Sequence, residues 1–180
     1  MLSSAEKLAC LKLARLTIRS EGTLRDLSVG GIPSGSASCF VTLTQKGTLR
    51  GCIGTLWPYR SLAEDIQGNA YAAAFEDPRF APLSPPEEAQ TRIEISILTL
   101  PQPWNGTAEE LLAWQSKEPH GIILNYQGRR ATFLPQVWEQ IPGERFFREL
   151  SRKAGCPFEA WQQKEAQLWT YQVESFSDRP

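Results

Sequence analysis

Residues 38–55, Ser38-Cys39-Phe40-Val41-Thr42-Leu43-Thr44-Gln45-Lys46-Gly47-Thr48-Leu49-Arg50-Gly51-Cys52-Ile53-Gly54-Thr55, decide the fold. Residues 38–45 alternate as a strand, Lys46-Gly47 turns the chain, and the segment from Thr48 returns, which predicts an antiparallel hairpin. A period of two puts Arg50 and Cys52 on one face of the returning strand and Leu49, Gly51 and Ile53 on the other. Two residues span ~6.6 Å, so the guanidinium can reach the sulfur, and a fixed positive charge favours the thiolate as nucleophile or soft-metal ligand. Gly51 and Gly54 weaken a strand unless a ligand or another backbone must come close, which makes them candidate contact points. The plainer reading of the same residues is a core strand with a buried cysteine and a structural arginine.

Outward from the hairpin, residues 4–20 read as a helix with Ser3 or Ser4 as N-cap and Leu8, Leu11, Ala14 or Arg15, and Ile18 at helical spacing. Gly22 and Gly30-Gly31-Ile32-Pro33-Ser34-Gly35 mark a long loop. Ser61 caps a second helix that buries Leu62, Ala63, Ile66, Ala70 and Ala73-Ala74 and ends before Asp77-Pro78. Residues 91–100 are a strand by β-branched content, and Thr107 starts a short helix through Trp114. Residues 120–126 and 130–134 predict a second hairpin around Gln127-Gly128, followed by a helix over 144–154 and a last strand over 166–176. No repeat or composition break divides the chain. The expectation is one α+β domain over residues 1–180, a largely antiparallel sheet flanked by helices, with a small subdomain left open.

Composition narrows the partners. With 19 basic and 20 acidic residues the net charge is −1, which gives nucleic acid or an anionic membrane no bulk attraction. No run approaches ~18 apolar residues, so no membrane span is expected. Met1-Leu2-Ser3-Ser4-Ala5-Glu6-Lys7 lacks the basic start and apolar core of a signal peptide. Cys10, Cys39, Cys52 and Cys156 lack CxxC or zinc-ribbon spacing, so reduced thiols in a cytoplasmic protein are expected. One histidine and dispersed cysteines argue against a tetrahedral metal site, so no metal and no cofactor are assigned. Gly30-Gly31 runs into Ile-Pro rather than a helix start with GK[ST], so it is not a phosphate loop.

Several ordered blocks carry a resemblance. Leu49-Arg50-Gly51-Cys52-Ile53-Gly54 is similar to the signature of the AMMECR domain family. Phe40-Val41-Thr42-Leu43, Asp77-Pro78-Arg79-Phe80 with Pro82-Leu83, and Ile95-Ser96-Ile97-Leu98 with Pro101 resemble family blocks, as do His120-Gly121-Ile122, Thr132-Phe133-Leu134-Pro135-Gln136-Val137 and Lys153-Ala154-Gly155. The resemblance spans roughly residues 5–176. It implies the α+β fold and a poorly defined biochemical role, in a pathway shared with Memo-family and radical-S-adenosylmethionine proteins as potential partners.

The candidate chemistry follows from both lines. Cys52 is the candidate nucleophile, Arg50 its activator and an anchor for an anionic group, and His120 the one imidazole available as general base. Glu94, sharing a face with Arg92 and Ser96, and Arg79 are candidate substrate contacts, with Gly51 and Gly54 beside them. Asp77 reads as a turn residue that Arg79 pairs with, and Lys153 as a cation suited to a helix C-terminus. A deep Arg50 requires a carboxylate such as Glu94 or Asp77, and His120 is expected at the rim of the same cleft. Two functions remain: an enzyme component using a Cys52/Arg50/His120 cleft on a small molecule or peptide, or a non-catalytic interaction module docking through Arg50-Gly51-Cys52-Ile53-Gly54.

Overall fold

Short side chains that bond their own backbone start the helices. In the computed structural model, which describes residues 1–23, 27 and 29–178, Ser3, Ser61 and Thr107 form capping boxes with Glu6, Glu64 and Glu110. Each box satisfies two amide donors that a helix start would leave open. The helices they open are α1 (Ser4–Arg19), α2 (Leu62–Phe75) and α4 (Ala108–Gln115), all expected from sequence. Part of the expected long loop, residues 24–26 and 28, lies outside the described residues.

The chain forms two compact units, Met1–Leu100 with Glu174–Pro180, and Pro101–Val173. The first holds β1 (Ser38–Gln45), β2 (Thr48–Gly54), β3 (Arg92–Leu98) and all but the first residue of β8 (Val173–Ser177), ordered β2-β1-β3-β8. The short helix α3 (Pro85–Glu88) lies between α2 and β3. Cys39, Val41 and Leu43 of β1 and Ile93 and Ile95 of β3 point from one sheet face into a core shared with α1 and α2. Alanines at 70, 73 and 74 let α2 lie close to the strands.

The second unit orders β4 (Gln102–Pro103), β7 (Gln167–Tyr171), β5 (Gly121–Tyr126) and β6 (Arg129–Phe133) as β4-β7-β5-β6. Its core joins Ile122 and Leu124 to Leu111 of α4 and to Phe146, Phe147 and Leu150 of α6 (Glu144–Lys153), with Trp138 of α5 (Val137–Gln140). Gly121 is required by packing, since a Cβ there would fall 2.2 Å from the Tyr171 ring.

The expected α+β class holds, with antiparallel pairing on helices. Three details differ. The strand expected over 166–176 breaks at Gln172, so β7 enters one sheet and β8 the other. Leu8 is 68% exposed, and the buried face of α1 runs instead through Cys10, Leu11, Ala14 and Ile18. Arg15 lies on that buried side because Glu88, Asp178 and the carbonyls of Glu88 and Thr91 take up its donors. The short helices α3 and α5 carry too few residues to show a periodicity.

Candidate functional site

One extra residue sets the site. A hairpin counted outward from Lys46-Gly47 pairs Gln45 with Thr48 and Thr44 with Leu49, and an unbroken count would put Cys52 opposite Val41. Val41 points into the core, so Cys52 would be buried against the helices. The register instead shifts after Thr44: Leu43 pairs with Gly51 and Thr42 with Cys52, leaving Arg50 as the extra residue of a β-bulge. The bulge sends Gly51 to the core face and Cys52 to the outer one. It also corrects the period-of-two reading, because Leu49 opposite Thr44 now shares the outer face.

On that face Cys52, Thr42 and Glu94 form a row across β2, β1 and β3. Thr42 Oγ1 lies 3.4 Å from Cys52 Sγ. Phe40, Ser96 and Arg92 flank the row by the same register, and Glu94 lies 3.8 Å from Arg92 Nη2. Cys52 is half-buried, whereas Cys10 and Cys39 are buried. Burial pushes the Cys10 thiol up to about 11, and burial with Asp65 alongside pushes Cys39 well above the usual thiol range.

The main chain of Cys52 is clamped from the sheet edge. Its N–H donates to Asp77 Oδ2 at 2.9 Å, and its carbonyl accepts from Arg79 Nη2 at 3.1 Å. Both groups therefore point away from β1, and Thr42–Cys52 is a non-hydrogen-bonded pair, the kind that brings side chains closest. Asp77 and Arg79 bond each other at 2.7 Å, as their spacing around Pro78 suggests. Together they occupy the edge groups that an added strand would need.

The expected partner of Arg50 is corrected. Asp77 is taken by Arg79 and Glu94 lies beside Arg92, so Arg50, 14% exposed, bonds Glu87 through Nε at 3.0 Å and the Pro82 carbonyl through Nη2. Glu87 is also the acceptor of a capping box with Ser84. Ser84-Pro85-Pro86-Glu87 is the sequence signal that would have found it.

The two glycines have internal uses. A Cβ on Gly51 would lie 2.1 Å from the Ala73 carbonyl oxygen, and one on Gly54 would lie 2.3 Å from the Phe40 ring. The close approach of backbone predicted at Gly51 is thus made by α2 of the same chain.

His120 belongs to the second unit. It is 8% exposed and its ring centroid lies 4.1 Å from that of Trp114. Nδ1 lies 2.7 Å from the Glu118 carbonyl, which can only accept, so Nδ1 carries the hydrogen. Gln115 fixes the His120 main chain with one bond to its N–H and one to its carbonyl. Lys153 donates to the Thr132 carbonyl and sits over Phe133. Among the described residues no three His, Cys, Asp or Glu side chains converge as a metal-ligand set, and no helix is long and apolar enough to cross a membrane.

The AMMECR1 family profile matches residues 9–176 of this sequence, across both units. The chain belongs to the AMMECR1 family. It is 33% identical over 189 residues to a protein of Methanosarcina barkeri, covering 99% of this chain and 93% of that one. A Thermotoga maritima protein is 35% identical over 142 residues, covering 78% and 77%. The crystal structure of the uncharacterized protein PH0010 from Pyrococcus horikoshii is similar with a TM-score of 0.87 at 28% identity, over 97% of this chain and 91% of that one.

The ion pairs give this AMMECR1 protein a testable acid limb. The Arg50 hydrogen bond, then those of Ser84, hold Glu87 at about 2 against an ordinary 4.5. The Arg79 side chain holds Asp77 well below the usual carboxylate range. A depressed carboxylate contributes stability that is complete above its unfolded value and is lost as pH falls through its folded one. Arg50→Met is therefore expected to cost about 1 kcal/mol at neutral pH, Glu87 being partly exposed. Urea midpoints at stepped pH should show that difference closing between 4.5 and about 2. A gap that stays constant down to the lower limit would contradict the pairing.

Proposed function

We propose that this AMMECR1 protein is an enzyme component that handles a small molecule or a peptide on the outer sheet face, with the Cys52 thiol as its reacting group. One observation carries the reading: the bulge at Arg50 turns Cys52 out of the core and into line with Thr42 and Glu94. A buried structural cysteine needs no such irregularity, and bulges recur where a side chain has to be re-aimed. The Asp77–Arg79 clamp fixes the sulfur's backbone from outside the sheet, the kind of support that keeps a reacting group in one geometry. Thr42 is placed to donate a hydrogen bond to the sulfur, and Glu94 to accept one from a bound molecule. The reading does not depend on His120.

The docking-module alternative is weaker on this geometry. Docking by an added strand needs the β2 edge free, and at Cys52 both edge groups are taken. Action in the cytoplasm, alongside Memo-family and radical-S-adenosylmethionine proteins, is part of the proposal and rests on the family resemblance.

The experiment is alkylation of Cys52 by iodoacetamide, followed by peptide mapping, in the native protein, Thr42→Ser and Thr42→Val. Loss of the hydroxyl hydrogen bond, about 1 kcal/mol, should slow Cys52 about fivefold in Thr42→Val, while Thr42→Ser retains the native rate. Equal rates in all three would remove Thr42 from the site.

A further inference from the structure

We propose that Phe80 is a displaceable cover over an anion subsite made by Arg50 and Arg79, which takes a carboxylate or phosphate group of a ligand. The inference deepens the function proposed above and rests on it, since it places the charged end of the ligand beside the Cys52 clamp. The Phe80 ring centroid lies 6.0 Å from Arg50 Cζ and 5.4 Å from Arg79 Cζ, so both guanidiniums stand around one ring. Each is held by its other nitrogens. Arg50 spends Nε and Nη2 on Glu87 and the Pro82 carbonyl, and Arg79 spends Nε and Nη2 on Asp77 and the Cys52 carbonyl.

What remains of Arg50 is Nη1, buried and without a hydrogen-bond partner among the described residues. A buried cationic donor left unpaired is costly, and native structures keep few of them. The Phe80 ring, 6.0 Å from the Cζ of the same guanidinium, offers only the face of a π-system, weaker than an oxyanion accepting directly from a nitrogen. The two arginines are charge-balanced by Glu87 and Asp77. Recognition of an anion here therefore comes from directed donors on a rigid frame rather than from net positive charge. Phe80 follows Asp77-Pro78-Arg79 in a turn outside any strand or helix, so its ring can swing without breaking a ladder. A carboxylate and a phosphate satisfy the same donors.

Phenylglyoxal modification of Arg50, mapped by mass spectrometry, tests this with chloride, inorganic phosphate or malonate at equal ionic strength. Phosphate, malonate or both should slow modification of Arg50 severalfold relative to chloride; the anion that protects identifies the source of the charge. Phe80→Ala should raise the unprotected rate about tenfold, because the closed state no longer competes. Failure of both anions to protect, or an Arg50 no more reactive in Phe80→Ala, would overturn the proposal. If Phe80→Ala does not fold, Phe80→Leu and the protection seen in the native protein still decide it. Iodoacetamide reactivity of Cys52 is read on a different atom, so an inert Cys52 defeats the functional reading while Arg50 protection reports on the subsite alone.

Discussion

Asp65→Ala is expected to destabilise the protein by about 3–5 kcal/mol. Asp65 is 1% exposed and serves four donors. Oδ2 accepts from the Cys39 amide at 2.8 Å, the Thr55 hydroxyl at 2.6 Å and the Asn69 amide group at 3.0 Å, while Oδ1 accepts from Arg60 Nε at 2.8 Å. Truncation strands the fully buried Cys39 N–H and leaves Arg60 without its carboxylate. Asp65→Asn should recover part of the loss, since one carbonyl oxygen remains but an NH₂ now faces donors. Urea denaturation measures both, and a loss below about 1 kcal/mol for Asp65→Ala would contradict the network.

Gly51→Ala should cost about 3 kcal/mol or more. The added methyl would lie 2.1 Å from the Ala73 backbone carbonyl oxygen in the last turn of α2, which cannot give way as a flexible side chain can. Gly30→Ala is the control, because among the described residues nothing lies within 4 Å of its Cβ position and its φ lies outside the left-handed region; it should stay within about 0.5 kcal/mol of the parent. The pair also bears on the docking reading. If Gly51 were kept small to admit a partner, Gly51→Ala would fold with native stability, and a thermal or urea midpoint equal to the parent's would favour that function.

Local chemistry made most of the fold readable. The capping serines and threonine, the Lys46-Gly47 and Gln127-Gly128 turns and the strand alternations lie within a few residues of what they determine. The site was less legible because its decisive relations are long-range. Arg50 and Cys52 were found as residue types, yet the bulge that separates their roles follows from packing Gly51 against Ala73, a relation between a strand and a helix more than twenty positions away. Asp65 sits in the first turn of α2, where an acidic residue ordinarily reads as a favourable charge at the helix start, and nothing nearby announces Cys39 as its partner. The change of sheet at Gln172 was hidden for a similar reason: a single non-strand residue barely disturbs an alternating pattern.

If the bulge presents Cys52 as the reactive thiol of the first unit, competitive alkylation of the unmodified, folded protein will show it. With limiting iodoacetamide near neutral pH, Cys52 should be labelled before Cys10 and Cys39, which are buried and whose thiols are pushed above the usual range, and at least as fast as the half-buried Cys156. Labelling of Cys156 ahead of an inert Cys52, or equal rates at all four, would contradict the account and return the segment to a structural role.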